Sequence, residues 1–315
     1  MNKILIVTVT YGDRLSELVN GAFKTALKQK LDILVVCNGV TESYYNELSK
    51  FQGVNVKLLR IEYNSGSAGG FNAALLEARK YQYDYYLLLD DDNFVFEPLA
   101  NINISNPASF IYRAGRSYME VAMQGRDPSL YFAKSNSFLG FDFFRIIKKK
   151  FFPQKFINLD TYDFPWCPYG GLIINSQVLH SSILPKSEYF LYCDDTEYTS
   201  RISVEFGLKL IKDLRIVDYE DSWNVSNRGN VITRIFSSKE AWRVFYSIRN
   251  QANFDYLRRS SILFWMNFSI FLGLIILYRT FSSNGKGSKI SIKLIFKAVR
   301  DGMKNKLGDK GFDFN

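Results

Sequence analysis

Leu87-Leu88-Leu89-Asp90-Asp91-Asp92-Asn93-Phe94-Val95-Phe96-Glu97-Pro98 is an apolar run that stops abruptly at three consecutive carboxylates. Such a run reads as a buried strand delivering acids to the edge of a sheet. Side chains alternate faces along a strand, so Asp90 and Asp92 are expected on one side and Asp91 on the other. Two carboxylates on one side suit a hard divalent cation, Mg²⁺ or Mn²⁺, which takes one or two of them and fills its other positions with water and substrate phosphate. The pattern points to a metal and diphosphate site; taken alone, a solvated turn explains an acidic triplet equally well.

Upstream, short β-branched runs alternate with helical patterns. Strands are predicted over residues 4–9, 33–37, 54–61 and 85–89, and helices over 14–28, 42–51 and 71–81. This alternation implies an α/β fold, a mostly parallel, Rossmann-like central sheet with helices on both faces. Ligands of such sheets bind beyond the carboxyl ends of the strands. Those ends carry Tyr11-Gly12-Asp13, Cys37-Asn38-Gly39, Tyr63-Asn64 and the acidic triplet, a convergence that suits a nucleotide. The loop from Asn64 to Asn72 contains Gly66, Gly69 and Gly70 ahead of a helix, so it reads as backbone that a ligand can approach closely. A Gly-Ser turn capping the helix is the bland alternative. The loop lacks the Lys-Ser or Lys-Thr of a P-loop and the spacing of a dinucleotide fingerprint.

A chain of 315 residues, 47% hydrophobic and 23% charged, can bury a large core. The net charge of +9 calls for an anionic partner: nucleic acid, anionic lipid or a phosphorylated substrate. Twenty-seven Phe and 20 Tyr exceed what a core needs and fit a surface that meets membrane or sugar. Cys37, Cys167 and Cys193 are too few for a disulfide framework, and a single histidine offers no zinc spacing. The first residues lead into a strand without a signal-peptide pattern, so a cytosolic setting is expected.

Downstream, residues 101–165 are loosely patterned, with a basic cluster, Arg145-Ile146-Ile147-Lys148-Lys149-Lys150-Phe151-Phe152, that suits either a solvated helix or anionic lipid. Trp166-Cys167-Pro168-Tyr169-Gly170-Gly171 reads as a turn entering a buried strand, its aromatics placed for core packing or for sugar stacking. Asp194 and Glu197 have capping-box spacing, which puts Asp195 in the first turn of a helix, where an exposed carboxylate can accept a proton. His180 reads as structural. Arg243, Tyr246, Arg249 and Asn250 share helical spacing and read as one face of a surface helix. Residues 262–278 fall just short of a comfortable bilayer span and are interrupted by Asn267, Ser269 and Gly273, so interfacial burial or a hairpin is expected in place of a clean span. The tail from Lys289 alternates apolar and basic residues, as a helix on an anionic membrane would; packing onto the catalytic domain or into a homo-oligomer is the structural alternative.

Taken together, Val9-Thr10-Tyr11, the Asn64–Asn72 loop, the acidic triplet, Trp166 to Gly171, Asp194-Asp195-x-Glu197-Tyr198 and Tyr246-x-x-Arg249-Asn250 resemble the inverting family-2 glycosyltransferases of GT-A fold. The resemblance covers residues 3–250 and is nearest the galactofuranosyl- and rhamnosyltransferase branch that builds bacterial surface polysaccharides. It implies a GT-A domain over 1–250, with a nucleotide-binding half (1–100) and an acceptor-binding half (101–250), followed by a membrane-associating helical region over 251–315. It further implies a nucleotide-sugar donor, UDP-galactofuranose first and dTDP-rhamnose second. The base would lie near Thr10, Tyr11 and Asn38, and the ribose and diphosphate along Asn64, Gly69, Gly70, Asn72, Asp90 and Asp91, with Arg249 neutralising phosphate. Asp90 and Asp92 would hold the cation, and Asp195 would deprotonate the acceptor hydroxyl. Trp166, Tyr169, Gly170, Gly171, Asp194, Glu197 and Tyr198 would shape the acceptor site.

The acceptor implied is a lipid-linked oligosaccharide met at the cytoplasmic face of the inner membrane. No nucleic-acid partner is expected, because a basic scaffold would need no acidic triplet. Two departures stand out. Cys37-Asn38 replaces the family's Asp-Asn at the end of the second strand, and Trp223-Asn224 replaces a Trp-His pair whose imidazole binds the metal. Asn224 is then the stand-in ligand, or else Asp218, Glu220 or Asp221 supplies a carboxylate. A sugar nucleotidyltransferase is the rival enzyme, but Tyr11-Gly12-Asp13-Arg14 lacks its Gly-rich first loop.

Overall fold

Ile4–Tyr11 (β1) is buried along all but its last residue, as expected of a strand covered on both faces. A computed structural model describes residues 3–99, 104–152, 155–219 and 230–312. The chain forms two compact units. The first comprises Met1–Gly125, Ile157–Phe190 and Asp194–Asp221; the second comprises Arg126–Phe156, Leu191–Cys193 and Ser222–Asn315. The units do not divide the chain at residue 250: described residues 126–152, 155–156 and 230–250 belong with the C-terminal region.

The first unit is built on one eight-stranded sheet. Its strands are β1, β2 (Asp32–Asn38), β3 (Val56–Ile61), β4 (Tyr85–Asp90), β5 (Asn93–Val95), β6 (Ala108–Arg113), β7 (Leu172–Asn175) and β8 (Lys209–Asp218), in the order β3-β2-β1-β4-β7-β6-β8-β5. β3, β2, β1 and β4 are mutually parallel, so their carboxyl ends share one edge. β7 then pairs antiparallel to both β4 and β6, while β8 runs parallel to β6 and antiparallel to β5. The four predicted strands are present, each with its end within two residues of expectation. Of the antiparallel half, β7 is the buried strand expected after the Trp166–Gly171 turn; β5, β6 and β8 carry no such signal, because they come from distant segments joined by irregular chain.

Two helices differ from expectation in ways that bear on the site. The first is interrupted: α-helical Leu15–Leu18 and Lys24–Gln29 flank a π-helical turn, Val19–Phe23. There the Ala22 N–H donates to the Asp91 carbonyl at 3.0 Å, and a Cβ on Gly21 would collide with that oxygen. The second, Gly66–Ala78, begins inside the glycine loop, five residues earlier than its pattern of apolar residues indicated. Its small residues are the reason: a Cβ at Gly70 would sit 2.5 Å from Val9 Cγ1, so the glycine lets the helix lie directly on β1.

Among the described residues, the second unit's regular elements are helices, with isolated β-bridges pairing Arg126 with Phe156 and Phe138 with Phe141. Ala241–Arg258 buries Val244, Phe245, Tyr246, Ile248, Arg249, Asn250, Ala252, Asn253 and Phe254, and is therefore a core helix, not the expected surface helix. Against it packs Ile292–Met303, which buries Ile295, Ala298 and Val299. The close crossing is set by Gly302, where a Cβ would strike the Arg249 carbonyl. The apolar face of the tail is thus covered by the chain itself; the expectation that it lies on a membrane is corrected.

Candidate active site at the carboxyl edge of the parallel strands

The strand carrying the acidic triplet ends at Asp90, and the two residues after it turn. The alternation expected of the three acids is lost with the strand. Asp91 and Asp92 both reach Arg14, Asp91 through paired bonds of 2.9 and 3.0 Å and Asp92 at 3.7 Å. Asp90 faces Arg113 at 3.4 Å. Asp218, at the end of β8, joins them with contacts of 2.6 and 3.0 Å to the same guanidinium. Asn93 ties the group together: its amide donates to Asp92 at 3.1 Å and Asp218 at 3.0 Å, while its oxygen accepts from the Asp90 N–H at 3.2 Å. Gly170 belongs to the same cluster, because a Cβ there would collide with Asn93 and lie 2.7 Å from Asp90 Oδ2.

Four carboxylates against two guanidiniums leave this cluster with excess negative charge. Its effect falls on Asp92. Burial, and then the charges of Asp90, Asp91 and Asp218, push its carboxyl up to about 7. The donor set is the hard-oxygen type that Mg²⁺ and Mn²⁺ take. Among the described residues no three acidic, thiol or imidazole groups form a complete ligand shell. The cluster fits an ion held by one or two carboxylates and completed by water and phosphate. Of the substitute ligands considered above, Asp218 is brought to the triplet; Asn224, Glu220 and Asp221 lie outside the described residues.

The second acidic pair opens the helix Asp194–Phe206. Backbone entering it is left-handed at Phe190, Tyr192 and Cys193, a conformation costing bulky residues about 1–3 kcal/mol each and often found at functional sites. Asp194 is a helical residue and not its cap; it is buried and accepts from Ser67 Oγ at 2.7 Å. The capping box does not form, since Glu197 turns instead to Lys186 at 2.8 Å and Arg201 at 2.8 Å. Burial followed by the charge of Asp195 pushes the Asp194 carboxyl up to about 7. Asp195 is half-buried. Its Oδ1 accepts from the Thr196 N–H at 2.6 Å, and its Oδ2 has no hydrogen bond among the described residues. Burial raises its carboxyl, opposed by the Thr196 N–H and by the positive charge of Arg116 and reinforced by the negative charge of Asp90. Asp195 and the triplet belong to the same unit, and the charge of Asp90 reaches Asp195.

Several expected contacts are not available. Asn38 is buried and its carboxamide is saturated: it donates to Asn64 Oδ1 at 3.3 Å and the Gly66 carbonyl at 3.0 Å, and accepts from the Ser65 N–H and Oγ, both at 2.9 Å. It shapes the Asn64–Gly66 turn and leaves nothing for a base. Thr10 is likewise buried, its hydroxyl 2.7 Å from that of Tyr44. Gly69 and Gly70 are buried helix residues, and Asn72 donates to the Pro185 carbonyl at 2.7 Å, so none of the three lines a phosphate path. Tyr169 and Tyr198 are core aromatics, Tyr169 packing on Phe71 with ring centres 4.2 Å apart. Gly171 is buried beside Ile111 and Ile216. Arg249, in the second unit, is wholly buried and donates to Asn250 at 2.8 Å and to the Gly308 carbonyl at 2.5 Å; the phosphate-neutralising role is corrected to a structural one.

What remains open is Tyr11, 48% exposed with the Arg14 guanidinium 5.4 Å from its ring centre, together with Asn64, half-buried Trp166, and Asp90 and Asp195. Arg14, Asn93 and Arg113 were missed by sequence reasoning. Arg14 stands beside a motif that was quoted, but nothing in the pattern around Arg113 marks it, because its partners arrive from β4 and β8.

The family model for glycosyl transferase family 2 matches residues 4–100, from β1 through the acidic triplet. This stretch is a family-2 glycosyltransferase segment. No curated protein matches the chain. Among solved structures, the chain is similar to S. aureus TarS 1-349 in complex with UDP-GlcNAc, at 13% identity and a TM-score of 0.48, over 95% of this chain and 80% of that one. It is also similar to GalNAc-T7 with UDP, GalNAc and Mn²⁺, at 12% identity and a TM-score of 0.51, over 96% of this chain and 57% of that one. The second likeness shows a shared fold, and the sheet of this chain is of GT-A type.

Proposed function

We propose that the chain is an inverting hexosyltransferase that moves a sugar from a nucleoside diphosphate onto a lipid-linked glycan at the cytoplasmic face of the plasma membrane. UDP-galactofuranose is the preferred donor and dTDP-rhamnose the alternative; the product is a bacterial surface polysaccharide. The observation carrying this reading is the over-acidic cluster Asp90, Asp91, Asp92 and Asp218 at the end of the family-2 segment, within electrostatic reach of Asp195. The exposed Tyr11 ring offers a face for the base, and the edge between it and Asp90 is the path for ribose and diphosphate. Asp92, with Asp90 or Asp218, would hold Mg²⁺ or Mn²⁺, which when bound offsets charge on the departing diphosphate. Arg14 and Arg113 orient these carboxylates. Asp195 Oδ2 takes the proton of the acceptor hydroxyl as that oxygen attacks the anomeric carbon, while Thr196 holds Oδ1 in place. A single displacement inverts the configuration, so no covalent nucleophile is needed. Trp166 supplies a wall for the acceptor.

The test is a panel of UDP- and dTDP-sugars scored by thermal shift with and without Mn²⁺, followed by product analysis. A true donor raises the melting temperature in a Mn²⁺-dependent way and releases nucleoside diphosphate. In the Asp92→Asn variant the Mn²⁺-dependent part of the shift is lost. Release of pyrophosphate, or a panel in which no nucleotide sugar shifts the wild-type protein, would overturn the assignment.

A further inference from the structure

None of the nine residues of the helix Phe143–Phe151 is buried. The helix is held at its first turn, where Arg145 donates to the Phe132 carbonyl at 2.6 Å, and it exposes Phe143, Phe144, Ile146, Ile147 and Phe151, with Phe152 following at 61% exposed. Its last turn carries Lys148, Lys149 and Lys150. A second face of the same kind occurs in the same unit. The helix Ile262–Phe281 turns Phe264, Asn267, Phe271 and Ile275 inward and leaves Ile262, Trp265, Leu274, Ile276, Leu277 and Phe281 exposed.

The two helices are locked to each other. The Phe143 N–H donates to Asn267 Oδ1 at 3.0 Å, and Asn267 donates to the Asn136 carbonyl at 2.8 Å. Phe138 packs its ring edge-on against Phe264, Phe268 and Phe271, and Phe141 lies against Phe271. The exposed apolar residues therefore belong to one fixed element pair, not to two independent segments.

We propose that this pair is a docking surface for an anionic bilayer, lying flat among the headgroups with the aromatic and aliphatic side chains inserted and Lys148 to Lys150 on lipid phosphates. The inference deepens the membrane placement proposed above by naming the surface and the lipid chemistry. Charge complementarity selects the occupant: a lysine triplet beside inserted aromatics matches an anionic interface, whereas a two-fold pairing would turn the patch, lysines included, onto its own copy. The 20-residue helix is long enough to cross a bilayer, but crossing would carry Asn267 and the polar backbone it holds into hydrocarbon. Lying flat keeps those groups on the protein side.

The test uses the full chain without donor or acceptor, so its failure is separable from failure of the enzymatic reading. Wild type is expected to sediment with phosphatidylcholine vesicles containing about 30 mol% phosphatidylglycerol, not with phosphatidylcholine alone, and to be released at about 0.5 M salt. Trp265 emission should shift to the blue on the anionic vesicles, a change lost in Trp265→Phe. Replacing Lys148, Lys149 and Lys150 with Gln should weaken binding by roughly tenfold to a hundredfold, given about 1 kcal/mol per charge near the surface. Phe144→Glu with Ile147→Glu should abolish insertion while leaving the melting temperature unchanged, since both side chains are exposed. Equal binding to neutral and anionic vesicles would overturn the proposal, as would a dimer dispersed by the same two glutamates in protein that ignores vesicles.

Discussion

Asp195 and Asp255 are both carboxyls held above their usual range, and the difference between them is access. Asp195 keeps one oxygen open, so its raised affinity for a proton is usable. Asp195→Asn retains the Oδ1 that caps Thr196 and should fold normally, while transfer falls by about 10²- to 10⁴-fold, the usual worth of a general base. The check is nucleoside diphosphate release alongside donor-induced thermal shift; undiminished release would remove Asp195 from the mechanism. Asp255, by contrast, is sealed within the second unit, accepting from the Leu139 N–H at 2.7 Å and from Gln251 at 2.9 Å. Burial pushes its carboxyl up to about 7 from an ordinary 3.8. The folded protein then holds a proton that the unfolded chain releases, so this group's stabilisation is complete below about pH 4 and is lost as the pH rises to about 7. Asp255→Asn should flatten that part of the melting-temperature profile between pH 4 and 7; an unchanged slope would show that the carboxyl is ionised in the fold.

At the scale of elements, the Gly66–Ala78 helix shows why a glycine-rich loop is ambiguous in one dimension. Glycines permit close approach, but a sequence does not say of what. Here Gly70 approaches Val9 and Gly66, at φ 71°, approaches the Phe190 carbonyl. The Ala68 N–H at the start of the helix is taken by that same carbonyl at 3.1 Å, and not left for phosphate. Gly70→Ala should therefore destabilise by about 1–3 kcal/mol through overpacking against β1. The effect should shrink in a Val9→Ala background, where the clashing methyl is absent, giving a coupling of opposite sign to the single losses in denaturant melts. Additive losses would place the helix farther from β1. The expected helix has Asp194 as its cap and Asp195 in its first turn; that Asp194 is itself helical, and that Glu197 pairs with Lys186 and Arg201 instead of capping, depends on a lysine and an arginine outside the four-residue motif.

For the whole molecule, the question is what the C-terminal region does. Charge, aromatic content and alternation all pointed residues 251–315 toward a membrane, and the structure divides that expectation. Ile262–Phe281 keeps an exposed apolar face, whereas Ile292–Met303 is spent on the core helix Ala241–Arg258, with Asn253 donating to the Gly302 carbonyl at 3.0 Å. Deleting residues 289–315 should thus behave as a folding defect. Uncovering the partners of Ile290, Ile295 and Val299, at about 1.5–3 kcal/mol each, is comparable to the whole stability of a typical domain. Limited proteolysis should then cleave within 241–258; a truncated protein that melts like wild type and only loses vesicle binding would restore the membrane reading of the tail.

Local chemistry alone determined the parallel half of the sheet, because strand and helix periods and turn residues are written within a few residues of one another. The same holds for the acid at each end of the site, Asp92 and Asp195, since abrupt charge after an apolar run has few local explanations. What only tertiary structure decided was pairing: which cations meet which carboxylates, that Asn38 and Arg249 spend their hydrogen bonds inside the protein, and which of two apolar C-terminal helices is covered. These depend on contacts between residues 23 to 131 positions apart, and a side chain's capacity to bind a ligand is whatever those contacts leave unused.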